Sequence, residues 1–162
     1  MKPPFFKITL ILCLLFISIK GFACHCTLKG EFTIKEVDNF DYVALVKINN
    51  SSPMDTTGGI SHERPWFFTA EIQELQVFKG SSVTSLKIIQ GKRKFGYFTS
   101  CDQGIDTGEE WLIFGNINND QDQIEVNSCT PTSQFKIAGG RMDWQYDGTL
   151  KKIKVLESLL EE

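Results

Sequence analysis

The sequence predicts an all-β fold with short flanking helices: a five-stranded Greek-key barrel of the OB type. Three observations predict it. Apolar and polar residues alternate with period two through most of the chain after residue 40, the pattern of half-buried strands. One long segment changes parity midway, as a strand does at a bulge or a barrel corner. Finally, the length left after an N-terminal export signal is that of one domain.

The first strand is Asp41 to Ile48, with Tyr42, Ala44, Val46 and Ile48 on one face. The second, Trp66 to Phe78, sets Trp66, Phe68, Ala70 and Ile72 on one face, then shifts to Leu75 and Val77. Leu86–Gln90, Trp111–Gly115 and Gln123–Ser128 complete the five. Residues 49–64 form a polar Gly/Ser-rich loop, too long for a tight hairpin, read as a mobile connector rather than a docking surface. Asn116–Gln123 is a polar turn. Thr33-Ile34-Lys35-Glu36 has capping-box spacing ahead of a short helix. Thr149 is expected to cap a terminal helix with Leu150, Ile153, Leu156 and Leu160 on one stripe.

Residues 1–23 have the layout of a signal peptide: Lys2 and Lys7, an uncharged apolar run from Ile8 to Ile19, then Gly21-Phe22-Ala23 with small residues placed for cleavage before Cys24. The run is shorter than the roughly 18 residues of a membrane span. The predicted mature chain, residues 24–162, is a single domain that is secreted, or periplasmic or envelope-located in a bacterium. It loses Lys2, Lys7 and Lys20, so 14 basic side chains face 20 acidic ones, a net charge of −6. That balance argues against nucleic acid as a partner. Cys13 leaves with the signal, and the remaining four cysteines, Cys24, Cys26, Cys101 and Cys129, read as two disulfides. Pairing Cys24 with Cys26 would close a strained ring, so each is expected to reach one of the distant two.

Catalytic constellations lack their parts, and no enzyme is predicted. His25 and His62 are the only histidines, and His62-Glu63-Arg64-Pro65 lacks the second histidine of a helical zinc site. Asn118–Asp122 resembles a calcium loop with Gln where Gly is required, and reads as a solvated turn. Glu109 and Glu110 point to opposite faces of a strand and read as its polar start.

Cleavage before Cys24 creates chemistry of its own. The freed α-amine and the Cys24 carbonyl oxygen form a two-atom chelate for a metal, and the amine, with an ordinary pKa of about 7.7–8.0, gives up its proton near neutrality. In an extended segment Cys24 and Cys26 point one way and His25 the other. A terminus stapled on both sides of His25 is a rigid wedge, with its ordering cost already met. Such a wedge is able to displace the water at the open position of a catalytic zinc.

At these residues the chain resembles the tissue inhibitors of metalloproteinases, in their N-terminal, netrin-like inhibitory domain. The resemblance rests on Cys24-x-Cys26, Asp41-Tyr42-Val43-Ala44-Leu45-Val46, Val77-Phe78-Lys79-Gly80, Cys101, Gly108-Glu109-Glu110-Trp111-Leu112-Ile113-Phe114-Gly115 and Cys129, across residues 24–146. It implies an OB fold, disulfides Cys24–Cys101 and Cys26–Cys129, and chelation of a partner protease's zinc by the Cys24 amine and carbonyl. It further implies that Thr27, Leu28, Thr99 and Ser100 belong to the wedge and that His25 enters the substrate side-chain pocket. The chain needs no cofactor of its own, and a monomer is expected. His25 stands where the family carries a small hydroxyl residue, Thr27-Leu28 replaces a proline-containing continuation, and the family's third disulfide and second domain are missing. Two other readings stand beside it: a non-inhibitory extracellular OB-fold binding module, and an envelope lipoprotein anchored at Cys24. Asn49 and Asn50 each fit the glycosylation acceptor pattern.

Overall fold

The computed structural model describes residues 32–57, 66–89, 103–118, 123–127, 129–139 and 145–160. Six strands and two helices follow in the order α1 (Ile34–Val37), β1 (Tyr42–Ser51), β2 (Phe67–Lys79), β3 (Ser85–Ile89), β4 (Glu110–Asn118), β5 (Gln123–Val126), β6 (Ser133–Lys136) and α2 (Tyr146–Glu157). The strands form one sheet in the order β1-β2-β3-β5-β4-β6, and β1 also pairs with β4. That last pairing closes β1 to β5 into a five-stranded barrel. All its ladders are antiparallel except β3–β5, where Ile88 lies opposite Val126 in parallel register. The architecture is the OB-type all-β barrel that the alternation predicts.

The alternating residues fill the barrel. Tyr42, Ala44, Val46 and Ile48 of β1, Phe68, Ala70 and Ile72 of β2, and Trp111 and Ile113 of β4 are buried in one interior cluster. The opposite face of β1 is buried too. Val43 and Leu45, with Leu112 and Phe114 of β4, lie in a second cluster outside the barrel, beneath Val37 of α1 and Ile153 and Leu156 of α2. Phe32 and Phe40 set their ring edges against Phe114, each with centroids 5.3 Å apart.

The parity change in β2 arises from bulges. Against β1, Leu75 and Phe78 are extra residues on β2 and Asn49 is an extra residue on β1. After Leu75 the inward residue becomes Val77, as predicted, but Leu75 itself is the bulged residue and is 44% exposed. The expectation that it shares the inward face is corrected: a bulged residue has no partner across the ladder and turns outward.

The connector after β1 is shorter than predicted. Ser52 N–H donates to Thr69 O at 2.8 Å and Asp55 N–H to Phe67 O at 2.7 Å, so pairing continues along residues read as loop. β4 likewise extends through Asn118 into the predicted turn and pairs there with β5. Polar residues hid both extensions, because main-chain ladders form regardless of side-chain polarity.

α1 starts where its capping box predicts: the Glu36 carboxylate accepts the Thr33 N–H at 2.8 Å. α2 starts earlier than expected. Gln145 is its N-cap and Thr149 lies inside it, 1% exposed. The cap assignment fails because the Thr149 hydroxyl is committed to a strand, 2.8 Å from the Gln134 carbonyl oxygen. Tyr146 stacks on Phe135, which extends the helix backwards. Ile153 and Leu156 are buried as predicted, whereas Leu160 lies past the helix end and is 54% exposed.

Two features hold the barrel end where β2 turns into β3. Gly80 has φ +91°, and a Cβ there would lie 2.5 Å from the Asp41 carbonyl oxygen. The Tyr42 hydroxyl, inside the barrel, donates to Glu74 Oε1 at 2.8 Å, and the same oxygen accepts the Val83 N–H at 2.9 Å. Burial first, then the hydrogen bond and negative charge of Glu74, push the Tyr42 phenol well above its ordinary pKa.

Replacing Gly80 with Ala adds both a left-handed-region penalty and a clash with the β1 start, and is expected to cost about 2–3 kcal/mol in urea unfolding. Tyr42 retains its proton in the fold where an unfolded tyrosine ionises near pH 10, so its contribution is complete below that pH and declines as pH rises beyond it. Absorbance titration at 295 nm should therefore show Tyr42 silent until alkaline unfolding. Ionisation of Tyr42 near pH 10 in folded protein would contradict its burial.

Candidate functional site

Of the residues predicted to form the wedge, Cys24, His25, Cys26, Thr27, Leu28, Thr99, Ser100 and Cys101 lie outside the described residues, as do the cleavage point and His62. Cys129 is described: it is exposed and disulfide-bonded. The geometry that bears on the site is therefore that of the scaffold around Cys129 and of the segments leading to the other cysteines.

Topology puts two of those segments together. Because β3 and β5 run parallel, the chain leaves both at the same end of the barrel, towards Cys101 after Ile89 and towards Cys129 after Val126. Two residues after Cys101 and one after Cys129 the segments are in touch: Gln103 Nε2 donates to the Thr130 carbonyl at 3.4 Å. Phe32, where the described chain begins, packs on Phe114 of β4, the residue whose main chain also receives the Cys129 segment.

The Cys129 turn is built from short polar side chains. Asn127 Oδ1 accepts the Cys129 N–H at 3.0 Å, an Asx-type turn. Thr130 Oγ1 sits 3.0 Å from the Asn127 carbonyl and 2.8 Å from Thr132 Oγ1. Thr132 solves a problem of sheet geometry. On the edge of β4 away from β1, β6 pairs with Glu110–Leu112 and β5 with Asn116–Asn118, leaving a gap between them. In that gap the Phe114 N–H donates to Thr132 Oγ1 at 2.9 Å, so a hydroxyl replaces the missing main-chain acceptor.

The motifs behind the family resemblance are explained by barrel closure. Asp41 Oδ2 accepts the Ile117 N–H at 2.9 Å, tying the start of β1 to the end of β4. Gly108, at φ +86°, donates its N–H to the Ile48 carbonyl at 2.7 Å. Gly115 admits β5, since a Cβ there would fall 2.5 Å from Ile124. Glu109 corrects its sequence reading as a polar strand start: it is 5% exposed, and its Oε2 accepts the Trp111 indole N–H and the Asp106 N–H, both at 2.9 Å. A buried indole needs such an acceptor. Glu110 faces the other way and pairs with Lys136 at 2.9 Å.

At the opposite barrel end, Asp41, Lys79, Val83, Ile117 and Ile124 are among the residues lining an open groove of about 400 Å³, far in topology from the Cys129 turn. Among the described residues no group of three or more His, Cys, Asp or Glu side chains is placed to hold a metal ion. No helix among them is long and apolar enough to cross a membrane. Compared with known proteins, the chain matches no family model, and no curated protein is detectably similar to it.

Thr132→Val preserves shape but leaves the buried Phe114 N–H without an acceptor. It should lower unfolding free energy by about 1–3 kcal/mol and speed hydrogen exchange at that amide. Unchanged exchange at Phe114 would show that the hydroxyl does not close the gap.

Proposed function

We propose that this protein is a secreted inhibitor of zinc metalloproteases, acting through a wedge at the mature N-terminus. Signal removal frees Cys24, whose α-amine and carbonyl oxygen chelate the protease zinc and displace its water. His25 enters the substrate pocket, Thr27 and Leu28 continue along the cleft, and Thr99 and Ser100 flank the wedge beside Cys101. Disulfides Cys24–Cys101 and Cys26–Cys129 hold the terminus to the barrel.

The observation that supports this reading best is the parallel β3–β5 pair, with the Gln103–Thr130 contact beyond it. It brings the end of β3 and Gln103, which bracket Cys101 in sequence, and the turn of Cys129 to one barrel end, the arrangement two staples on one short terminus require. The OB-type barrel is the fold the family resemblance implies, and its motif residues do structural work in that fold. The net charge of −6 predicted for the mature chain fits a protein partner better than nucleic acid.

The deciding experiment compares mature protein with a form carrying one extra Ala before Cys24, against a panel of zinc proteases. The mature form should inhibit at least one. The extension converts the amine into an amide and should reduce inhibition by a factor of a hundred or more, on the order of 3 kcal/mol, with thermal unfolding unchanged. Equal inhibition by both forms would exclude zinc chelation. A partner held equally well by both forms, without inhibition, would identify a binding module instead.

A further inference from the structure

Buried and half-buried polar side chains collect where α2 meets the segment that follows Cys129. Lys152 Nζ donates to the Pro131 carbonyl at 2.6 Å and lies 3.2 Å from Ser133 Oγ. Thr149 Oγ1 is 2.8 Å from the Gln134 carbonyl and 3.0 Å from Ser133 Oγ. Gln145 Oε1 accepts the Gln134 N–H at 3.1 Å. These three residues, spaced four and three apart, form one stripe of the helix, and all of them engage residues 131–134. The apolar residues Ile153 and Leu156 already dock the helix on the barrel. Hydrophobic docking alone gives no reason to bring an ammonium group partly out of water here, and burial pulls the Lys152 pKa below the ordinary lysine value, against the opposing pull of the Glu36 charge. Besides the Glu36 charge, what the ammonium gains is a charge-assisted bond to a carbonyl two residues after Cys129. From the barrel side the same segment is held by Thr132 on Phe114 and Gln103 on Thr130.

We infer that Lys152 is a positioning residue that clamps the turn bearing Cys129 and so sets how rigidly that half-cystine is presented. Its meaning for inhibition rests on the function proposed above: a wedge bridged to Cys129 inherits the stiffness of its anchor. Helix α2 is then a brace for the disulfide platform as well as a cover for the outer cluster.

The test follows reduction of the Cys129 disulfide by dithiothreitol under native conditions, with alkylation and peptide mass as the readout. Lys152→Met is compared with Ile153→Val or Ile153→Ala, whichever loses the same Tm, since Ile153 is on the same helix but on its apolar face. Lys152→Met should speed reduction about tenfold by freeing the local opening that exposes the bridge. The Ile153 variant should stay within about twofold of the wild type, and Lys152→Arg should restore most of the protection. Should Lys152→Met not fold, Lys152→Gln, with a neutral donor, replaces it and should fall between. Equal acceleration by the Lys152 and Ile153 variants, or none by either, overturns the clamp. In inhibition assays Lys152→Met should raise the dissociation rate and leave association unchanged. A wild type that inhibits no zinc protease, with the reduction contrast intact, removes the proposed function and retains the clamp. Inhibition by wild type without that contrast removes the clamp and retains the function.

Discussion

The pairing of β1 with β4 is the constraint from which the rest of this structure follows. Six successive residue pairs, Tyr42–Gly115 to Lys47–Glu110, join strands nearly seventy residues apart and turn an open sheet into a barrel. A strand at the seam has no solvent face: its inner residues fill the barrel and its outer ones need a cover. That is why β1 reads Tyr-Val-Ala-Leu-Val with all five residues buried, and why two helices distant in sequence converge on one side. Two details of closure, the Asp41 bond to Ile117 and the bare Cα of Gly115, protect this seam from fraying and clash.

Closure also imposes a direction on the chain. With β1 joined to β4, the last sheet bond is made by β3 and β5, and it is parallel. Parallel neighbours exit at the same end, so two connectors that begin far apart in sequence emerge side by side. The same end therefore collects the segments towards Cys101 and Cys129, while the β2–β3 turn and the open groove lie at the other. Beneath the exits of β3 and β5, strand, hydroxyl and helix meet around Phe114 and Pro131–Gln134.

Polar groups in this protein are used at the places where regular pairing fails. Thr132 supplies an acceptor where β5 stops and β6 has not begun. Glu109 satisfies an indole inside the barrel, Glu74 satisfies a phenol at its end, and Lys152 binds a carbonyl in a turn. Each is a side chain standing in for water or for a missing main-chain partner. Such residues look expendable in a hydrophobicity pattern and are not.

Alternation along the chain determined the five barrel strands, the inward set of Tyr42, Ala44, Val46, Ile48, Phe68, Ala70 and Ile72, the parity change in β2 and the start of α1, because period-two burial and capping are local properties. β6 escaped that reading since Ser133-Gln134 carries no apolar alternation, and its pairing depends on an edge of β4 that β5 leaves free. Leu75, Thr149 and Leu160 were misplaced for a related reason: a bulge, a cross-element hydroxyl bond and a helix end are set by neighbours remote in sequence. For the candidate site, the sequence predicts which cysteines cleavage before Cys24 would leave and what a freed Cys24 would chelate. Only the tertiary structure decided that the connectors towards Cys101 and Cys129 share one barrel end, and that Lys152 reaches the turn beside it. Those placements follow from strand direction and closure, which no stretch of local sequence specifies.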